Sequence, residues 1–252
     1  GSVRGSVKIH AMGNIYIGGY VEDADIWSGQ DIIIQDGVNA GENGRIEAMG
    51  NISARFFENA HIISHSDIKC DYMLNTTALA YGGIYLEGKR GSVIGGDVTG
   101  VRGICIKACG SESYSKTVLR VGVTKEISSE YAKVLMVLKD IDTQIDRFNQ
   151  ALQKLDILKK AGSDKFDETL NRKLLQSKIV KTAEKAKYEE KSRNLYTLVR
   201  ESDRAVVRID KNIYPGSRVF MGDKTYVPST VFTHIALKKT SQGVLIRNYA
   251  SM

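Results

Sequence analysis

Proline is nearly missing, with two residues in 252, whereas glycine stands at 24. That balance excludes polyproline spacers and points to many tight turns. Cysteine is also scarce. Cys70, Cys105 and Cys109 are odd in number, and no two form a Cys-x-x-Cys pair. A disulfide framework is therefore excluded; free thiols in a reducing compartment are expected, without a zinc centre. No apolar run approaches the length of a membrane span, and no charged-then-apolar leader opens the chain. Gly1-Ser2 reads as a cloning scar, because the periodic pattern described below is already running at Val3. There is no Gly-x-Ser-x-Gly elbow, and neither glycine-rich dinucleotide nor Walker spacing is met. The net charge of +7 permits nucleic-acid contact. No interleaving of aromatic and basic residues supports it, so none is expected.

What the chain does contain is a repeat. HAMGNIYI (10–17) returns as EAMGNISA (47–54), with weaker copies at WSGQDIII, SHSDIKC and AYGGIYL. Aligned on the residue after the Asn or Asp, one column reads Ile15, Ile32, Ile52, Ile68, Ile84 and Val98. Two residues on, a second reads Ile17, Ile34, Ala54, Cys70 and Leu86. Six residues before the first, a third reads Ile9, Ile26, Ile46, Ile62 and Ala78. The local period is two, so each column lies on one face of a short strand. Recurrence every 14–20 residues predicts a parallel β-solenoid whose columns become internal apolar ladders. Five to seven coils are expected from Val3 to about Ala108. The residues before the first column are Asn14, Asp31, Asn51, Asp67, Gly83 and Asp97. They are expected to form corners, with left-handed backbone angles and side chains capping local amides. DGVNAGENGR (36–45) is expected to be a protruding loop.

From Glu126 the period changes. Tyr131, Val134, Leu138, Ile141, Ile145, Phe148, Leu152 and Leu155 alternate at three and four, a heptad stripe. Gly162 ends this helix, and Ser163 or Asp164 starts another running from about Lys165 to Arg204. Its thinner stripe is Leu170, Leu174, Leu175, Ile179, Ala183, Ala186, Leu195 and Leu198. Together they predict an antiparallel coiled-coil hairpin, each arm of about 30 residues spanning roughly 45 Å. After Ala205 the β pattern returns, turns at Pro215-Gly216, and ends in a hairpin across Ser241–Gly243. The expected division is solenoid coils over 3–125, the helical insertion over 126–205, and a β segment over 206–252 that continues or caps the solenoid. The N-terminal end starts in mid-pattern without a cap, so an upstream domain is expected.

Charge is unevenly placed. Residues 1–110 carry nine basic and twelve acidic side chains, whereas 111–252 carry 27 and 17. Within the second helix, Arg172 to Arg193 holds eight basic residues and three acidic ones. An electrostatic partner is expected on that half, either an acidic protein or, less strongly, an anionic surface. The search for chemistry finds little. His61, His65 and Cys70 fall on a period-two segment and make a poor ligand set. Asp23, Asp25, Asp31 and Asp36 are the only candidates for paired carboxylates of the polysaccharide-cleaving kind, and Asp31 sits in the corner column. Lys89 and Arg90 in GKRG form a basic corner suited to turn formation or to anion and partner binding.

The run FFENAHI, then YLEGKRGSVIGGDVTG, then TVLRVG, a helical hairpin, and IYPGSRVFMG resembles the bacterial flagellar assembly protein A family over about residues 3–247. The resemblance implies a right-handed β-solenoid in a cytoplasmic bacterial protein without established enzymatic activity. It also implies a preceding N-terminal domain. Some members are linked to placement of the polar flagellum. The expected function is a non-enzymatic scaffold with no cofactor, metal or catalytic residue. It would bind a protein or a second copy of itself through the arm. Lys89, Arg90, Tyr131, Leu138, Ile145, Leu152, Arg172, Lys181 and Lys185 are the candidate contact residues. Ser177, Lys181 and Glu184 are polar where a matching seam would be apolar, so the first helix is expected to keep part of its stripe open for docking. A filament of stacked solenoids and a carbohydrate-active β-helix enzyme are the alternatives.

Overall fold

The computed structural model describes residues 1–41, 44–123, 125–202 and 204–248. It divides into a β unit, residues 1–124 and 198–252, and a helical unit, residues 125–197.

The β unit is a parallel solenoid of about six turns. Each coil supplies three strand segments. On the first, β2 (Ile15–Ile17), β4 (Ile32–Ile34), β7 (Ile52–Ser53), β10 (Ile68–Cys70), β12 (Gly83–Leu86) and β14 (Gly103–Ile106) lie side by side in parallel. The second carries β5 (Gly37–Asn39), β8 (Phe56–Glu58) and β15 (Ala108–Cys109). The third carries β6 (Arg45–Ala48), β9 (His61–Ser64) and β16 (Thr117–Val121). The longer strands β1 (Val3–Ala11), β3 (Val21–Ser28), β11 (Tyr72–Ala80) and β13 (Ser92–Gly100) run through both the second and third segments.

The ladders follow from this pairing. Ile15, Ile32, Ile52, Ile68 and Ile84 stack as one column and are all buried. Its next members are Ile104 and Val207 rather than Val98. Val98 pairs with Ala78 and Leu119 and extends the third column, Ile9–Ile26–Ile46–Ile62–Ala78, which ends at Val219. The corner Glu87–Gly91 lengthens this coil, so Val98 falls one strand segment early. A fourth column absent from the sequence reading joins Val21, Val38, Phe57, Met73, Val93, Cys109 and Ile213. No coil can bury these side chains alone, and stacking is what removes them from water.

The corner before the first column keeps the expected amide capping, directed to the next coil, but not the expected backbone angles. Left-handed angles are not found at Asn14, Asp31, Asn51 or Asp67. They occur at Asp23, Asn59, Asn75 and Gly95, at the bend between the second and third segments. Instead, each Asn or Asp reaches along the stack to cap the next coil. Asn14 Oδ1 accepts the Asp31 amide at 3.0 Å, Asp31 Oδ1 the Asn51 amide at 2.6 Å, Asn51 Oδ1 the Asp67 amide at 3.2 Å, and Asp67 Oδ1 the Gly83 amide at 2.7 Å. The Asn of the repeated Gly-Asn is thereby explained, and so is the glycine where a preceding coil's carboxylate lies beneath it. A Cβ on Gly50 or Gly82 would lie 2.1 Å from the carboxylate oxygen of Asp31 or Asp67. Asp67→Ala removes the acceptor for the Gly83 amide and is expected to cost about 1 kcal/mol in denaturant unfolding, with Asp67→Asn costing less. Equal losses for the two variants would contradict the capping role.

The excursion expected over 36–45 is in part regular structure. Gly37–Asn39 forms β5 and Arg45 opens β6, which narrows the loop to 40–44; Glu42 and Asn43 lie outside the described residues. Beyond the helices, β17 (Val206–Ile213) and β18 (Ser217–Met221) continue the parallel stack. The chain then reverses. β19 (Lys224–Tyr226) runs antiparallel to β18, β20 (Phe232–Lys239) antiparallel to β17, and β21 (Val244–Asn248) antiparallel to β20. Leu237 and Ile235 lie opposite Val207 and Ile209, all four fully buried, so β20 closes the edge that β17 would otherwise leave unpaired.

The helical unit is built from α1 (Lys125–Lys160) and α2 (Glu168–Ser202), the last turn of which belongs to the β unit. Gly162, at φ +63°, ends α1. The cap of α2 is Asp167, whose Oδ1 accepts the Leu170 amide at 2.9 Å, rather than Ser163 or Asp164. Pairs joining Glu130 to Lys191 and Asp142 to Lys185 define an antiparallel hairpin.

Candidate partner-binding surface

The basic corner is held from below. The Asp71 carboxylate accepts the amides of Arg90 at 2.8 Å and Gly91 at 3.2 Å, and Lys107 Nζ donates to the Gly88 carbonyl at 2.6 Å. The Arg90 guanidinium lies 4.4 Å above the Tyr72 ring. That ring stacks on Phe56 at 5.1 Å, and Phe56 lies 6.2 Å from Tyr20. Arg90 thus closes a column of aromatic rings and is largely committed to it. The Tyr72 hydroxyl donates to Glu58 at 2.7 Å; burial first, and then that bond, holds its pKa above the ordinary tyrosine value. Lys89 is exposed and makes no ion pair among the described residues. A groove of about 400 Å³ beside this corner is lined by Arg55, Lys69, Asp71, Tyr85 and Glu87. The aromatic column was not legible in the sequence, because Gly37 interrupts it in the intervening coil.

The hairpin distributes its residues in a way the stripes did not foretell. On α1, Val134, Ile141 and Leu155 are buried, and Tyr131, Leu138, Ile145, Phe148 and Leu152 are half-buried. The α1 stripe is thus buried at three positions and half-buried at five; Tyr131, for example, lies 6.5 Å from Tyr196 of the returning helix. On α2 the buried or half-buried positions include Leu174, Lys178, Lys181, Lys185, Tyr188, Ser192 and Leu195, which share one face. Leu175, Ile179 and Val180 are 45%, 69% and 60% exposed, and Ala183 and Ala186 are exposed too. On a helical projection these residues lie opposite the seam. Periodicity shows which residues share a face but not which way that face turns.

The lysines are drawn to α1 by its acids. Lys185 Nζ lies 2.7 Å from Asp142 and 3.6 Å from Glu189, and Lys191 Nζ lies 2.7 Å from Glu130. The bonds to Asp142 and Glu130 raise the pKa of these two lysines above the ordinary value. Lys181 pairs with Glu184 at 2.7 Å and Arg172 with Glu168 at 3.7 Å. Half of the basic run is thus engaged within the hairpin. Lys173, Lys178, Lys187 and Arg193 make no ion pair among the described residues.

The cysteines are free. Burial pushes the Cys109 thiol up to about 12 and raises Cys70 as well; Cys105 is half-buried, and burial raises it against the lowering effect of Arg208. Alkylation of the native protein at neutral pH is expected at Cys105 first, with Cys70 and Cys109 reacting only on unfolding. Rapid native labelling of Cys109 would contradict the fourth ladder.

The geometry defines the class: a parallel β-solenoid that carries a helical hairpin as an insertion. The Flagellar Assembly Protein A beta solenoid domain profile (FapA) matches residues 1–242, and the chain belongs to that family. Neither the curated proteins nor the solved structures returned a match. No described helix is long and apolar enough to cross a membrane.

Proposed function

We propose that this chain is a non-enzymatic scaffold of the bacterial cytoplasm, acting in flagellar assembly. The solenoid serves as a rigid mount and the hairpin as the contact element. The flagellar connection comes from the family to which the chain belongs. The contact role rests on one observation: α2 keeps lysines toward α1 and turns Leu175 and Ile179 to solvent. A hairpin serving only its own stability gains more by burying those side chains, at about 25 cal/mol per Å² of apolar surface. Exposed apolar residues ranked along a helix, among free lysines, suit recognition of another helix. Lys89 is a secondary contact on the solenoid itself.

The test is genetic. Residues 128–197 are replaced by a short Gly-Ser linker in the native bacterium, and filaments are counted by electron microscopy. Loss or misplacement of flagella at normal protein level is the expected outcome. Normal number and position would overturn the proposal.

A further inference from the structure

We infer that the outer face of α2 binds a second copy of itself in antiparallel register, centred between residues 180 and 181. This rests on the reading of the hairpin as the contact element and names its partner.

Positions 168, 172, 175, 179, 182, 186, 189 and 193 recur at three and four along α2, so they form one helical stripe. All are exposed except Glu189, which is half-buried. In order they are Glu, Arg, Leu, Ile, Thr, Ala, Glu and Arg. Turned end for end against a copy, Ile179 meets the partner's Thr182, and Leu175 meets the partner's Ala186. Each large side chain therefore faces a small one, which lets the helices approach closely. Outside that centre, Arg172 meets the partner's Glu189, and Glu168 meets the partner's Arg193. Every charged position faces the opposite sign, and twofold symmetry makes each contact twice. A parallel pairing instead places Arg172 on its own copy and Glu189 on its own copy, both repulsive. A generic acidic partner would leave Glu168 and Glu189 facing like charge. The stripe is thus complementary to itself in one orientation. The contact is a single pair of helices, smaller than a standard protein interface, so a Kd on the order of micromolar is expected.

Sedimentation equilibrium of the full chain tests this, with circular dichroism to confirm helicity. The wild type is expected to dimerise. Arg172→Glu introduces two like-charge contacts by symmetry and is expected to weaken the dimer at least tenfold. Combining Arg172→Glu with Glu189→Arg restores opposite signs and is expected to bring affinity back to within about threefold of wild type. Lys187→Glu changes net charge equally but lies off the stripe, and should leave the dimer unchanged. A monomer at several hundred micromolar, a fully helical Arg172→Glu chain that still dimerises normally, or a double variant that stays monomeric would each overturn the inference. The two readings fail separately. A monomeric wild type whose linker replacement still abolishes flagella removes the second copy and keeps the arm. Charge-dependent dimers with normal flagella after replacement remove the functional role and keep the dimer.

Discussion

Ile52→Asp is expected to abolish cooperative unfolding of the solenoid at neutral pH. Ile52 is 0% exposed and sits in the first column between Ile32 and Ile68. Two terms add. Loss of the isoleucine leaves a cavity worth about 2–5 kcal/mol, as in a change to alanine. The new carboxylate then has no donor within the ladder, so it must either be buried unpaired or be held neutral at further cost. Together these reach about 5 kcal/mol, comparable with the whole stability of an ordinary domain. Ile52→Ala carries only the first term and should melt cooperatively at a lower denaturant midpoint. An Asp variant as stable as the Ala variant would mean that position 52 reaches water, and the register of the first column would be wrong.

Gly96→Ala is expected to be nearly as damaging, although it adds one methyl group. Gly96 has φ +80°, and a Cβ there would lie 2.1 Å from the Thr76 carbonyl oxygen and 2.6 Å from the Thr76 nitrogen. Both are backbone atoms of the adjacent coil, and Thr76 is itself fully buried, its hydroxyl donating to the carbonyls of Phe57 at 3.1 Å and Leu74 at 3.0 Å. The coils must part to admit the methyl group. The expected loss is about 3 kcal/mol or more, combining overpacking with left-handed strain. Gly162→Ala is the matched control: its φ is +63° and nothing lies within 4 Å of the added carbon. It should cost about 1 kcal/mol, the strain alone. Equal losses at the two sites would show that the coils are not in close contact at Gly96.

The solenoid was legible because isoleucine recurs on a period-two background. Six members shared a spacing loose enough to admit Val98 wrongly, since nothing in the residues marks where a lengthened corner ends. The fourth column was not legible. Its members are Val, Phe, Met, Cys and Ile by turns, so no single residue type announces it, although volume suffices for packing. Corners were located correctly, and of the two devices expected there amide capping holds while the left-handed angles lie elsewhere. Asn and Asp favour both left-handed angles and amide capping, and only the structure separates Asp23 and Asn75, which take the first, from Asp31 and Asp67, which take the second. For the hairpin, both helices and their stripes could be read. The inversion of α2 could not, because it depends on Glu130 and Asp142 meeting Lys191 and Lys185 across the chain. Of the candidate contact residues, Tyr131, Leu138, Ile145 and Leu152 are half-buried, and Lys181 and Lys185 are engaged in ion pairs. Arg172 remains exposed on the outer stripe.

The central claim is that the solenoid is a self-sufficient mount and the hairpin a separable arm. Thermal unfolding of the purified protein with residues 128–197 replaced by a Gly-Ser linker tests it most directly. Such a protein keeps Leu198 onward, including Glu201, whose carboxylate lies 2.5 Å from Arg102 within the β unit. The account predicts a soluble protein with a β-rich spectrum, melting cooperatively within a few degrees of the full chain. Aggregation on purification, or a melt many degrees lower, would mean that the hairpin is part of the solenoid's own core, and would contradict the account.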